Sequence, residues 1–296
     1  MKPSRVILTG RLGNQLWQIA FAHFLVSQGM KVKLTFVDEM VGRLSDENVA
    51  ILEELSDVCN HGIEVEWLNR SSRISKATMI TGSRIQRFLP KNLRPLDFRN
   101  FTADELLSFS FSGSRKLIGY FQSRQLLGGH IDVVREELMR ILERGDRSGP
   151  EQEKGYRAVF HLRYGDYLHE IHKNDFGVLS YAYYEEILKR ENLLASEVLW
   201  ISDDPAGVKN RNSALNQIEV IGPDVMDVLT TGCVMSQTEL LAISNSSLAW
   251  WFGLCAKRQG AKVYLPHPWR KSDMSIDTKS DVYESSDLLI PAKFLY

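Results

Sequence analysis

The chain has 296 residues, of which 44% are hydrophobic and 25% charged, a globular mixture that excludes a disordered, collagen-like or coiled-coil protein. Its 36 basic and 37 acidic side chains give a net charge of −1, which argues against a domain that mainly neutralises a nucleic-acid backbone. The length predicts about two domains, and the three separated cysteines exclude a disulfide framework or a paired-cysteine zinc site, as expected for a cytosolic protein.

Strand and helix signals alternate along the first half of the chain. β-rich runs of a few residues alternate with apolar residues at helical spacing, and the first helical pattern ends at Gly29. The predicted strands are residues 5–9, 31–37, 63–68 and 117–121, and the predicted helices are residues 16–28 and 126–142.

The segment 70–99 carries eight basic residues and one acidic residue, a net charge of +7. The rest of the chain therefore has a net charge of −8. A solvated surface is the simplest interpretation. The alternative is a face for a phosphorylated or membrane-surface partner, because clustered Lys and Arg attract anionic headgroups.

The polar, breaker-rich stretch 143–155 is the best linker in the chain. It predicts two domains, residues 1–148 and 149–296. The strand and helix alternation resumes after it, which indicates a second parallel α/β sheet. The predicted strands are 158–162, 198–202, 218–221, 240–243 and 262–265, and the predicted helices are 181–191 and 247–259.

The apolar runs are too short for targeting or membrane insertion. Residues 6–8 are the only apolar run at the N-terminus, and a secretory signal needs a longer one. The apolar stretch 240–256 is interrupted by the polar residues 244–247, so no membrane-spanning helix is expected.

Open parallel sheets bind ligands where strands end and helices begin, so the segments after strands are the candidate sites. After the first predicted strand, Gly10 and Gly13 let backbone amides approach a ligand, with Asn14 and Gln15 beside them. The glycine spacing differs from the dinucleotide-binding fingerprint. A tight turn without a ligand is the alternative.

The strand 158–162 leads into a second polar cluster. Side chains alternate along a strand, which predicts that His161 and Arg163 share one face. An arginine there could hold a phosphate through its fork of donors, and Asp166 could orient it or accept a proton. The alternative is that Arg163 and Asp166 form only a local ion pair.

Two further strands end in polar residues. For Asp203 and Asp204 we predict that one carboxylate caps a helix and the other contacts a ligand, because adjacent carboxylates diverge too far to clamp a metal. Asn245, Ser246 and Ser247 open a predicted helix, where hydroxyls and free amides can cradle an anion or one serine can simply cap it.

Metal and nucleophile signatures of hydrolases are missing from the sequence. Residues 169–172 spell H-E-x-H and not the H-E-x-x-H of zinc hydrolases. No G-x-S-x-G elbow occurs. We therefore expect no resident metal and no cofactor.

Taken in order, these segments resemble glycosyltransferase family 11, the α-1,2-fucosyltransferases. The family's motifs G-x-x-G-N-Q, G-Y-F-Q-S, H-x-R-R-G-D-Y, S-D-D and N-S-S-x-x-W-W are similar to residues 10–15, 119–123, 161–167, 202–204 and 245–251. Its strand followed by Pro and Trp is similar to residues 263–269. The ordered matches span residues 10–269.

The resemblance implies an α/β protein of the GT-B class, with two Rossmann-like parallel-sheet domains facing a cleft. It implies an inverting, metal-independent transfer of fucose from GDP-fucose to a sugar hydroxyl, commonly O2 of a galactose. The acceptor would be an oligosaccharide or lipid-linked glycan in cell-surface polysaccharide or O-antigen synthesis, reached from the cytoplasm or the inner face of the membrane through residues 70–99. No nucleic-acid partner is expected.

Applied to this sequence, the resemblance assigns catalysis to His161, Arg163 and Asp166. Donor binding is assigned to two loops and several strand ends: Gly10, Gly13, Asn14, Gln15, Arg163, Asp203, Asp204, Asn245, Ser246 and Ser247. The general base stays open among Asp166, His169 and Glu170. Replacing Arg163 by alanine is expected to abolish turnover and leave the fold intact.

Two positions depart from the family pattern. Tyr164 occupies the place of the family's second arginine, so one cationic contact to the donor is expected to be missing. Thr231 lies where the family carries an acidic residue that reads the guanine, with Asp227 one turn earlier. Two alternatives therefore stand beside fucosyl transfer: another nucleotide-deoxysugar donor, and a non-catalytic nucleotide- or glycan-binding module of the same fold.

Overall fold

The computed structural model describes residues 3–37, 51–52, 54–55, 63–68, 96–98, 103–109, 111, 115–144, 155–275 and 281–295. The chain divides into two compact units, Met1–Glu137 and Leu138–Tyr296. The predicted domain boundary at residues 148/149 lies outside the described residues, as does nearly all of the basic segment 70–99.

The N-terminal unit contains one parallel sheet of five strands in the order β3-β2-β1-β5-β4. Its strands are β1 (Ser4–Ile7), β2 (Val32–Val37), β3 (Ile63–Leu68), β4 (Leu96–Asp97) and β5 (Lys116–Ile118). Its helices are α1 (Leu12–Ser27), α2 (Ala103–Ser108), α3 (Arg124–Leu127) and α4 (His130–Arg144), the last crossing the unit boundary.

The C-terminal unit contains one parallel sheet of six strands in the order β11-β10-β9-β6-β7-β8. The strands are β6 (Ala158–Leu162), β7 (Val198–Ser202), β8 (Val220–Ile221), β9 (Leu240–Ala242), β10 (Lys262–His267) and β11 (Leu288–Pro291). The helices are α5 (Glu170–Lys173), α6 (Tyr181–Arg190), α7 (Pro205–Arg211), α8 (Val228–Gln237) and α9 (Ser247–Arg258). Parallel strands and helices in both units confirm the predicted fold class of two Rossmann-like α/β sheets.

The central strands of the C-terminal unit are buried because helices cover a parallel sheet on both faces. Every residue of β7 is buried. On one side of the sheet, Phe160 and Trp200 pack edge to face with their ring centroids 5.0 Å apart, beside Tyr184. This core fixes the ends of β6 and β7, from which the candidate site projects.

The structure differs from the predicted elements mainly at their ends. The helix predicted at 126–142 is two helices, because Gly128 adopts a positive φ of +51° that ends α3. The first helix begins at Leu12, four residues before the predicted start. Two short edge strands, β4 and β11, were missed.

Within the described residues, no helix is both long enough and apolar enough to cross a membrane.

Candidate functional site

In both sheets the chain places strands first on one side of the initial strand and then, after a reversal, on the other side. In the C-terminal unit, β7 and β8 lie on one side of β6, whereas β9, β10 and β11 lie on the other. In the N-terminal unit, β2 and β3 lie on one side of β1, and β5 and β4 on the other. Open parallel sheets bind ligands at the carboxyl ends of the strands where this reversal occurs. We call these places the C-terminal switch point (β6/β9) and the N-terminal switch point (β1/β5).

At the C-terminal switch point, a hydrogen bond joins the two strand ends. The Nδ1 atom of His161 lies 2.9 Å from Oγ of Ser244, and the hydroxyl of Tyr184 donates to the backbone carbonyl of His161 at 2.9 Å. Desolvation by the surrounding atoms, with Arg163 as the second cause, lowers the pKa of His161 to about 3. The imidazole is therefore neutral near pH 7 and positions the β9 end.

Arg163 is held between two carboxylates. Its Nη2 lies 2.7 Å from Oδ1 of Asp166 and its Nη1 lies 3.0 Å from Oδ2 of Asp203. The side chain of Arg163 is 14% exposed. The local ion pair with Asp166, stated above as an alternative, is present, and Asp203 extends it into a triad.

The triad also fixes the loop after β6. The second oxygen of Asp203 accepts a hydrogen bond from the backbone N–H of Tyr164 at 2.8 Å. A Cβ on Gly165 would lie 2.2 Å from Oδ2 of Asp203, so only glycine fits against this carboxylate. The carboxylate of Asp203 thus acts inside the protein as a support for Arg163 and its loop.

Asp204 caps α7, as predicted for one of the two aspartates. Its Oδ1 accepts from the backbone N–H of Gly207 at 2.8 Å. Its role in donor binding stays a prediction. In the same way, Oδ1 of Asp227 accepts from the N–H of Thr230 at 2.7 Å and caps α8. That helix contains Thr231, whose N–H bonds to the carbonyl of Asp227.

The N-terminus of α9 lies at the C-terminal switch point. Ser246 is its N-cap residue, and the Ser246 side chain makes no capping hydrogen bond. The amide nitrogen of Asn245 donates to the carbonyls of Phe176 (2.8 Å) and Gly177 (3.3 Å), whereas its Oδ1 is buried without a hydrogen-bond partner. Backbone N–H groups at such an end favour an anion.

An aromatic pair not singled out by the sequence analysis lies beside α9. The rings of Tyr167 and Phe176 stack with centroids 5.0 Å apart. Cζ of Arg163 lies 5.4 Å from the centroid of Tyr167, and Cζ of Arg270 lies 5.2 Å from that of Phe176. Burial raises the pKa of Tyr167 to about 12, so its hydroxyl stays protonated and donates to the carbonyl of Asn245 at 3.1 Å.

Tyr164, the departure from the family pattern, lies in the core. It is 1% exposed, its hydroxyl accepts from Nδ2 of Asn212 at 2.7 Å, and it contacts the carbonyl of Leu179 at 3.4 Å. The expectation that Tyr164 marks a missing cationic contact beside the donor is therefore not supported by the geometry. The side chain at this position belongs to the hydrophobic core.

The N-terminal switch point brings together two motifs that lie far apart in the sequence. Nε2 of Gln122 donates to Oδ1 of Asn14 at 2.8 Å, and Nε2 of Gln18 donates to the carbonyl of Gly119 at 2.7 Å. Gly10 has a φ of +79°, and a Cβ there would lie 2.6 Å from Nδ2 of Asn14. The loops 10–15 and 119–123 therefore meet at one sheet edge.

Gln15 is fully buried at the start of α1. Its Nε2 donates to the carbonyl of Gly10 at 3.2 Å, and its Oε1 is buried without a partner. The helix it begins has Arg11 as its N-cap, with no capping side chain. Each switch point thus combines a helix whose N-cap side chain makes no capping hydrogen bond with a buried amide oxygen that lacks a donor.

In the described residues, no group of three or more His, Cys, Asp or Glu side chains could hold a metal ion. His169 and Glu170 lie on the exposed surface, where Glu170 pairs with Lys173 at 3.3 Å.

No protein-family model and no curated protein sequence matches the chain. Among solved structures it is similar to a glycosyltransferase of family 9 from Veillonella parvula DSM 2008, with 12% identity, 90% of this chain and 80% of that chain covered, and a TM-score of 0.43. It is also similar to E. coli heptosyltransferase WaaC with ADP, with 8% identity, 99% and 94% covered, and a TM-score of 0.43.

Proposed function

We propose that this chain is an inverting glycosyltransferase of the GT-B class that transfers fucose from GDP-fucose to a sugar hydroxyl, with O2 of a galactose as the acceptor atom. The observation that carries the proposal is the clustering of the family-like motifs. Residues 161–167, 202–204 and 245–247 meet at one switch point, and residues 10–15 and 119–123 meet at the other. In each unit these segments therefore lie where an open parallel sheet binds its ligand.

The chemistry of sugar transfer fits the C-terminal switch point. Breaking the bond between the sugar and the nucleoside diphosphate leaves negative charge on the departing phosphate, and the site must stabilise that charge. The N-terminus of α9 provides backbone N–H groups for it. A positively charged side chain beside these groups would stabilise the remaining negative charge without a metal.

Within this proposal, the three predicted catalytic residues take different roles. Neutral His161 positions the β9 end through Ser244. Arg163 fixes the loop that carries Asp166. Asp166 is the general-base candidate that we favour, because its carboxylate lies at the end of β6, whereas His169 and Glu170 lie on the exposed surface.

We place the reaction in cell-surface polysaccharide synthesis, at the cytoplasmic face of the membrane. The support is the +7 charge of residues 70–99, which would attract the anionic headgroups of a lipid surface or a lipid-linked acceptor.

A donor screen tests the proposed function. The purified chain would be incubated with GDP-fucose, GDP-mannose, UDP-galactose and dTDP-rhamnose, with and without a galactoside acceptor and EDTA. We expect transfer from GDP-fucose at the same rate in EDTA. Turnover of a different nucleotide-deoxysugar would replace fucose as the donor. Nucleotide binding without turnover of any donor would contradict the enzyme and favour a binding module.

A further inference from the structure

Arg270 is held differently from Arg163. Among the described residues, no carboxylate oxygen lies within ion-pair distance of its guanidinium. The nearest acidic group on its own loop, Asp273, accepts from the backbone N–H of Arg270 at 3.3 Å. The guanidinium lies over the ring of Phe176 and is partly exposed. The charges of Arg270 and Asp273 interact, but the guanidinium makes no ion pair with a described carboxylate, so an anion can bind its N–H donors.

The loop that carries Arg270 is tied to the start of α9. Arg270 follows β10, the neighbour of β9 in the sheet. The carbonyl of Phe176 accepts hydrogen bonds from both Nδ2 of Asn245 (2.8 Å) and the backbone N–H of Lys271 (3.1 Å). This shared carbonyl holds the Arg270 loop beside the residue that precedes the N-cap of α9.

The polar groups at this edge indicate the chemistry of the ligand. The N-terminus of α9 and the guanidinium of Arg270 favour negative charge. Oδ1 of Asn245, in a residue only 1% exposed, can only accept a hydrogen bond and has no donor. Nδ1 of His267, at the end of β10, is also buried without a partner. A phosphate would pair with the guanidinium and the helix N-terminus, and the two buried atoms show that hydrogen-bonding capacity beside them is unused.

We propose that Arg270 binds the diphosphate of the nucleotide-sugar, beside the N-terminus of α9. This inference rests on the proposed function for the identity of the ligand. The two ion pairs of Arg163 position the loop after β6 and use two of its five N–H donors.

Binding of GDP and of inorganic pyrophosphate, measured by calorimetry at two salt concentrations, tests this proposal. We expect Arg270→Gln to weaken GDP binding by about 10- to 100-fold, the effect of losing one charged hydrogen-bonding group, and to reduce its salt dependence. Arg270→Lys should restore part of the affinity. Lys271→Gln removes the same charge from the next residue and should change GDP affinity less than about twofold, since a surface charge contributes little.

Each outcome has a distinct meaning. Unchanged GDP affinity in Arg270→Gln, with circular dichroism showing an intact fold, would overturn the role of Arg270. If Arg163→Lys weakens GDP binding and Arg270→Gln does not, the phosphate is bound by Arg163. If the wild-type chain binds GDP through Arg270 but transfers no sugar, the proposed function fails and this inference stands. If it binds neither GDP, UDP, ADP nor pyrophosphate, both fail.

Discussion

The guanidinium of Arg163 separates two carboxylates that would otherwise face each other in a largely buried position. Replacing Arg163 by glutamine leaves Asp166 and Asp203 unpaired, so we expect the free energy of unfolding to fall by about 2–4 kcal/mol. Chemical denaturation would measure it. The expectation that the fold stays intact without Arg163 remains a prediction, and the same measurement tests it.

A matched control for Arg163 lies on α6. Arg190 pairs with Glu186 at 2.9 Å, but both side chains are exposed. Arg190→Gln should change the free energy of unfolding by less than about 1 kcal/mol, because solvent screens an exposed pair. Equal effects of the two substitutions would contradict the supporting role of the triad.

His161 should make stability depend on pH. Its pKa is lowered to about 3 in the folded chain from 6.5 in the unfolded chain. Between these values only the unfolded chain binds the proton, so stability is full above pH 6.5 and falls as the pH drops, by up to about 1.4 kcal/mol per pH unit. His23, whose burial lowers its pKa to about 4 with His130 as second cause, adds to the same slope.

Replacing His161 by asparagine isolates its contribution. An asparagine amide can reach Ser244 from nearly the position of Nδ1 but does not titrate, so His161→Asn should flatten the fall in stability between pH 6.5 and 4.5. Denaturation curves at four pH values would measure the slopes. An unchanged slope would show that His161 does not carry the shift.

At the scale of elements, the capping of α7 tests what Asp204 does. Asp204→Ala removes the acceptor for the N–H of Gly207 and should lower the free energy of unfolding by about 1 kcal/mol. Asp204→Ser keeps a capping oxygen and should restore most of that loss. If Asp204→Ala leaves stability unchanged and weakens GDP binding, Asp204 contacts the nucleotide and does not stabilise α7 as a cap.

Local sequence patterns predict the strands and helices themselves. They do not predict which of these elements lie side by side. Alternating strand and helix signals predict parallel sheets, because apolar strands such as β7 need cover on both faces. The placement of β9 beside β6 is a non-local choice, and so is the contact between Arg163 and Asp203, forty residues apart. The sequence does not predict Arg270 as a site residue, because its position two residues after Pro268 is the one feature that marks it.

At the scale of the whole molecule, each of the two units has its own parallel sheet and its own switch point. The two switch points are not equivalent in charge. The C-terminal one has Arg270, which makes no ion pair with a described carboxylate, beside the N-terminus of α9. The N-terminal one combines the neutral amides of Gln18, Asn14 and Gln122 with Arg11 at the N-cap of α1. A nucleoside diphosphate should therefore prefer the C-terminal unit.

Hydrogen exchange with and without GDP would locate the nucleotide. We expect slower exchange at residues 161–168, 244–249 and 267–271, where ligand contacts restrain the strand ends, and no change at residues 10–15 and 119–123. The same protection should be lost in Arg270→Gln and kept in Lys271→Gln, because only the first removes the proposed contact to the diphosphate. Protection confined to residues 10–15 and 119–123 would instead assign the nucleotide to the N-terminal unit, where the amides of Asn14 and Gln15 would have to bind it without an arginine of the C-terminal unit.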